Sequence, residues 1–204
     1  MGLILGTIAA IVTAATTVVK ALAVVGLAVQ GLKAIGNVLT SLGKALGLIK
    51  PETKVDELGD KAIQSGYNPE DYDSYEAYVK AVEDFDDLDP EKSKSISEEE
   101  KIKKGMELSS GVVIEKYKEF PIDDFCIAVG QNPDFFTEAK MGEIAKLMQA
   151  DGQHIPSILN YINGSEKDDA KIQSTVDTLV SVAKATSPSV GEKEAYKSVM
   201  ELRK

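Results

Sequence analysis

The chain has 204 residues, 43% hydrophobic and 27% charged, enough apolar side chain for a packed core and too much for wholesale disorder. Its formal charge of −10 repels phosphate, and with no cluster of Lys and Arg it excludes nucleic acid as a partner. One cysteine, one histidine and no tryptophan exclude an intramolecular disulfide, an ordinary structural zinc site and stacking platforms for bases or sugars.

The charge is unevenly placed. Residues 1–50 hold Lys20, Lys33, Lys44 and Lys50 and no acid, so all 33 acidic residues follow Pro51. The first 32 residues, MGLILGTIAAIVTAATTVVKALAVVGLAVQGL, carry Lys20 as their single charge. Pro51 is the first proline, so residues 1–50 read as one helix or two collinear ones. In the second half Leu32, Ile35, Leu39, Leu42, Leu46 and Ile49 recur at alternating spacings of three and four, a heptad seam. Lys33, Asn37, Thr40, Ser41 and Lys44 fall on the opposite arc. Upstream, Ile4, Ile8, Ile11, Ala15, Val18, Leu22 and Val25 continue the pattern, but there the other faces are apolar too, softened by Thr13, Thr16, Thr17 and Lys20. The glycines from Gly26 to Gly47 (Gly26, Gly31, Gly36, Gly43, Gly47) read as close-packing positions rather than a phosphate loop.

A helix apolar all round must be covered by protein or lipid. Straight, residues 4–49 would extend about 70 Å, whereas a body of ~150 residues has a radius of gyration near 15 Å. The segment therefore folds back on itself or is covered by something else. No charge precedes the apolar run and no cleavage site follows it, which argues against a secretory signal. Residues 3–29 exceed the ~20 needed to span a bilayer, yet no Tyr or Trp precedes Tyr67 to form an interfacial belt.

From Pro51 the texture changes. Residues 52–65 predict a short helix stopped by Gly66, and Asn68-Pro69 predicts the start of an amphipathic helix carrying Tyr72, Tyr75, Val79 and Val82. EDFDDLDP, residues 83–90, reads as a charged connector. Ser97 with Glu100 forms a capping box that opens a helix to about Phe120. Pro121 opens the next, with Ile122, Phe125, Cys126 and Val129. Asn132-Pro133 opens a third, with Phe135, Phe136, Ile144 and Leu147 inward. Residues 155–162 form a short helix closed by Asn163-Gly164, Ser165 opens another, and after Ser187-Pro188 a Ser189–Glu192 capping box opens the last. The expected fold is all-α: a long apolar N-terminal helical arm (1–50), an acidic helix pair and linker (51–94), and a C-terminal bundle of short helices (95–204).

Chemistry-bearing constellations are few. An EF-hand loop begun at Asp87 would place Asp89, Glu91 and Glu98 at ligand positions. Lys92 then falls where glycine is needed and Pro90 inside the loop, so an acidic linker is the better reading of Asp84–Glu98. Cys126 and His154 are the one thiol–imidazole combination, but Cys126 sits on an apparent core face. Asp123-Asp124 and Glu98–Glu100 stand at helix starts, where acids collect for dipole reasons. With no GxGxxG, Walker loop, GxSxG or HExxH, no catalytic, cofactor or metal residue is assigned.

The expected function is a non-enzymatic helical assembly protein. Its arm oligomerises or packs inside a multi-subunit machine, of the phage-tail-like or secretion type. The alternative is a membrane-inserting, pore-forming or secreted effector using the same arm. The face in question is Ile4, Ile8, Ile11, Val18, Leu22, Val25, Leu32, Ile35, Leu39, Leu42, Leu46 and Ile49. The expected partners are copies of the chain, a helical protein or membrane lipid. The lone cysteine fits synthesis in a reducing cytoplasm, with later assembly into a particle or delivery to a membrane.

Overall fold

Periodicity of three and four, repeated from end to end, gives helices and nothing else: the computed structural model contains eleven α-helices and no strand among the residues it describes, 2–24, 28–150 and 154–204. They are α1 (Gly2–Val24, side chains described from Thr7 to Leu22), α2 (Val29–Ala45), α3 (Val55–Ser65), α4 (Tyr75–Glu83), α5 (Pro90–Ser95), α6 (Glu98–Lys116), α7 (Ile122–Gln131), α8 (Glu138–Ala150), α9 (His154–Ile162), α10 (Asp169–Thr186) and α11 (Glu192–Met200).

Helices α1–α4 gather around α6. Its capping box is formed: Ser97 Oγ accepts from the Glu100 amide, and Glu100 accepts from the Ser97 amide. Ile102, Met106, Leu108, Val112 and Val113 are buried on several sides, because α1, α2, α3 and α4 all pack on this helix. Two glycines let α3 come close. A methyl group at Gly105 would lie 1.8 Å from the Val55 carbonyl oxygen, and one at Gly59 would lie 1.8 Å from that of Lys101. Backbone meets backbone at this crossing. The Tyr75 ring at the start of α4 lies over Gly111 in the same way.

The apolar N-terminal segment is two antiparallel helices, not one straight arm. Thr16 of α1 donates to Glu107 Oε1 at 3.1 Å, and farther along α1 Val19 and Lys20 lie beside Lys103 and Lys104, so α1 runs against α6. Lys33 of α2 reaches Glu98 at 2.7 Å, and Thr40 shares a 2.9 Å hydrogen bond with Ser109, so α2 runs with it. At 1.5 Å per residue the two helices are about 34 and 25 Å long and match the ~28 Å of α6. Folding back halves the length that must be covered, and the chain's own helices cover it. This corrects the expectation that the seam awaits a partner or lipid: Ile8, Ile11, Val18, Leu22, Leu32, Ile35, Leu39, Leu42 and Ile49 are all buried in the core, and Leu46 is half-buried against it. The side chain of Ile4, and Val25 altogether, lie outside what the structure describes.

Some expected elements shift. Residues 69–71 form a single 3₁₀ turn capped by Asn68, and α4 starts separately, with Ser74 accepting from the Ala77 amide. The charged connector gives way at Pro90 to a short helix, α5, that was not expected. Asn132 closes α7, its side chain donating to the Ala128 carbonyl at 2.9 Å. Phe135 and Phe136 then enter the core from a turn before α8 begins at Glu138. The helix expected from Ser165 begins at Asp169 under Asp168, and the last follows Gly191, not a Ser189 cap. Helices of the first two expected regions, α1–α4, pack on α6 of the third, and one hydrophobic core, including the Phe120–Phe125–Phe136 edge-to-face contacts, continues into α7–α11, which join through α1 and α2.

Candidate interaction surface

The seam residues of α1 face inward, and what remains outside is unusual. Its exposed positions are Thr7, Ala10, Thr13, Thr17, Lys20 and Ala21, with Ala9, Val12, Ala14 and Thr16 half-exposed. Thr13 Oγ1 donates to the Ala9 carbonyl and Thr17 Oγ1 to the Thr13 carbonyl, both at 2.8 Å. Their hydroxyls are thus turned back on the helix, satisfying themselves locally and leaving methyl groups outward. From Thr7 to Thr17 the face has no charge, whereas α3, α4, α5, α6, α8 and α11 each carry both Lys and acidic residues. Such a surface loses little on leaving water, and its small residues permit close helix approach.

The outer side of α2 is polar and already engaged. Lys33 bridges Asp56 at 3.1 Å and Glu98, and Ser41 donates to Glu138 at 3.3 Å. Thr40, expected on this outer arc, is instead buried, donating to the Gly36 carbonyl at 2.8 Å and paired with Ser109. Of the glycines expected to pack closely, Gly36 lies against Met106 and Val55 and Gly43 against Ile49. Gly47 instead has a positive φ of 73° and open space around it, so it ends α2's turn.

The constellations weighed for chemistry are dispersed. Asp84 pairs with Lys50, Asp89 caps α5 by accepting from the Glu91 and Lys92 amides, and Glu98 belongs to the Lys33 bridge. No group of three or more His, Cys, Asp or Glu able to hold a metal occurs among the described residues. Cys126 is fully buried, and burial, with the nearby Asp123 charge, pushes its thiol far above the ordinary value, the opposite of what a nucleophile needs. His154 lines a small polar cavity of about 110 Å³ with Ser157, Lys171 and Thr178, and Cys126 is not in its wall. Asp123-Asp124 and Glu98–Glu100 stand in the first turns of α7 and α6.

Two features escaped the sequence reading. The α3–α6 glycine pair has a signal, small residues Gly105 and Ser109 four apart on one face of α6, but the partner Gly59 is visible only once the helices cross. The second is a carboxylate cluster beneath α5. Asp60, 7% exposed, accepts from Gln64 at 2.8 Å and from Ser93, and it pairs with Lys101 at 3.0 Å. Burial alone would raise the Asp60 carboxyl, but the hydrogen bonds from Ser93, Gln64 and Lys101 and the Lys101 charge outweigh it and hold the group below 3.8. The cluster ties α5 to α3 and α6.

Compared with known protein families, curated proteins and solved structures, the chain matches none. Among the described residues no helix is long and apolar enough to cross a membrane.

Proposed function

We propose that this chain is a non-enzymatic helical assembly protein that associates through the outer face of α1, with its own copies first and with a helical subunit of a larger machine, phage-tail-like or secretory, as the wider form of the same reading. The observation that carries it is the uncharged Ala/Thr face from Thr7 to Thr17, whose Thr13 and Thr17 hydroxyls are satisfied within the helix. On a molecule of charge −10 the copies repel one another over most of their surface. The acid-free N-terminal region is where that repulsion is weakest, and there two helices can approach closely without burying a charge. Sedimentation of the full chain without detergent tests the reading. It should give a particle larger than a monomer, and Thr13→Glu, which places a carboxylate in the middle of the face, should return it to a monomer with unchanged helicity. A wild-type monomer at every concentration would overturn it.

A second reading, a membrane-inserting effector, is favoured by one observation: α1 and α2 each lie along α6 in opposite directions, and their apolar seam residues are what bury them there. It predicts dye release from liposomes by the wild-type chain. If no lipid composition gives release or co-sedimentation, that reading fails.

A further inference from the structure

Lys20 is the one charge in the first 32 residues, and no ion pair reaches it among the described residues. The structure places it on the rim of an open groove of about 520 Å³ between α1 and α6, a volume within the range of small-molecule sites. Val19 from α1, Ile63 from α3 and Ile96 from the turn between α5 and α6 make an aliphatic floor. Three separate elements therefore converge to build it. Lys20, Lys103 and Lys104 line it as well, with Glu100 and Glu107 among them.

The acids nearby have other work. Glu100 closes the capping box with Ser97, and Glu107 accepts from Thr16 and, at 3.2 Å, from Lys104. Lys103 pairs with Glu99 one turn back. Each ammonium has three donors, so Lys103 and Lys104 retain capacity after these bonds and Lys20 retains all of it. With Lys103 and Lys104 paired, Lys20 is the cation left over beside the aliphatic strip, and strip and cation together are complementary to a chain of methylenes ending in an anion.

We propose that the α1–α6 groove binds a single-chain anionic amphiphile, a long-chain carboxylate whose tail lies over Val19, Ile63 and Ile96 and whose head group meets Lys20 with Lys103 or Lys104. The site borders the outer face of α1, sharing Thr16 and Lys20 with it, but it does not rest on self-association. It gives Lys20 a role that helix packing alone does not, since the apolar pattern of α1 would accept alanine there.

Calorimetric titration of the full chain with sodium dodecanoate, below its critical micelle concentration, tests this. Saturable one-to-one binding is expected. Lys20→Glu and Ile96→Asp, both at positions open to solvent or half-open, should each weaken it at least tenfold while helicity and melting temperature hold. Dodecanol, with the same tail and no charge, should bind at least tenfold more weakly than dodecanoate. Absence of saturable binding, or binding indifferent to both substitutions, would overturn the proposal. So would equal binding of dodecanol, and so would attachment only to phosphatidylglycerol vesicles with no response to free dodecanoate.

Discussion

Helices α1 and α6 invert the usual relation between hydropathy and position. The first is the more apolar by far, yet it lies at the side with an Ala/Thr face in solvent; the second, EEEKIKKGMELSSGVVIEK, is about two-thirds charged or small and sits at the centre of α1–α4. The difference lies in what each surface allows. Large aliphatic residues on one stripe fix α1 to a single neighbour layer. On α6, Gly105, Ser109, Ser110 and Gly111 leave room for helices on several sides, while its charges, Glu107 apart, fall in the first two turns and the last. Closeness of approach, more than hydropathy, made α6 the hub.

That contrast can be broken at the glycines. Gly105→Ala puts a methyl group against a backbone carbonyl that has no rotamer to escape into, so chemical denaturation should show a loss of about 3 kcal/mol or more. If Gly105→Ala is tolerated as easily as a surface change, the close crossing of α3 and α6 is not what holds the centre.

The next effect sharpens the contrast by pH. The outer part of α6 is tied to α3 and α5 through Asp60, whereas α1 has no acid at all. Because the Asp60 carboxyl is held below 3.8 in the folded state, its contribution is present above about pH 4 and disappears as the pH falls through its lowered folded value. Asp60→Asn should cost about 1–3 kcal/mol at pH 7. The gap between wild type and variant should close on acidification toward pH 2, with amide exchange rising first in α3 and α5 and later in α1. A gap that stays constant with pH would remove Asp60 from the account.

Smaller effects follow from single groups. Ser110 Oγ is buried with no hydrogen-bond partner among the described residues, so Ser110→Ala should raise stability by about 1 kcal/mol in the same denaturation series. Gly142, in α8, has open space where a Cβ would go, and Gly142→Ala should raise it by about 0.5–1 kcal/mol. It is the control for Gly105: same substitution, helical in both cases, opposite sign.

Much of the fold was legible locally. The Ser97–Glu100 box, the Gly66 stop with its φ of 63°, the turn at Gly164 and the break after Thr186 are all where short-range rules put them. The misreadings share a cause. Asn132-Pro133 has the form of a helix start, but Asn132 closes α7 because the core takes Phe135 and Phe136 from a turn. Thr40 has the form of a surface residue, but Ser109 meets it inside. The sequence between α1 and α2 holds neither proline nor a run of charge, and Gly26 reads equally well as a close-packing position, so their opposite directions go unannounced. As for the candidate surface, the oddity of the segment was plain from Lys20 and the threonines, yet which side faced out was not.

The sequence by itself determined that this is a helical protein, where most of its helices stop, and that its N-terminal quarter must be covered. Those properties depend on hydrogen bonds and spacings within a few residues, which any unfolded chain already carries. Only the tertiary structure decided what covers the seam, which helix α1–α4 gather on, and which face of α1 is left in solvent. Those depend on the shape of a second surface, and Gly59, Gly105 and Ser109 acquire meaning only against the helix that packs on them.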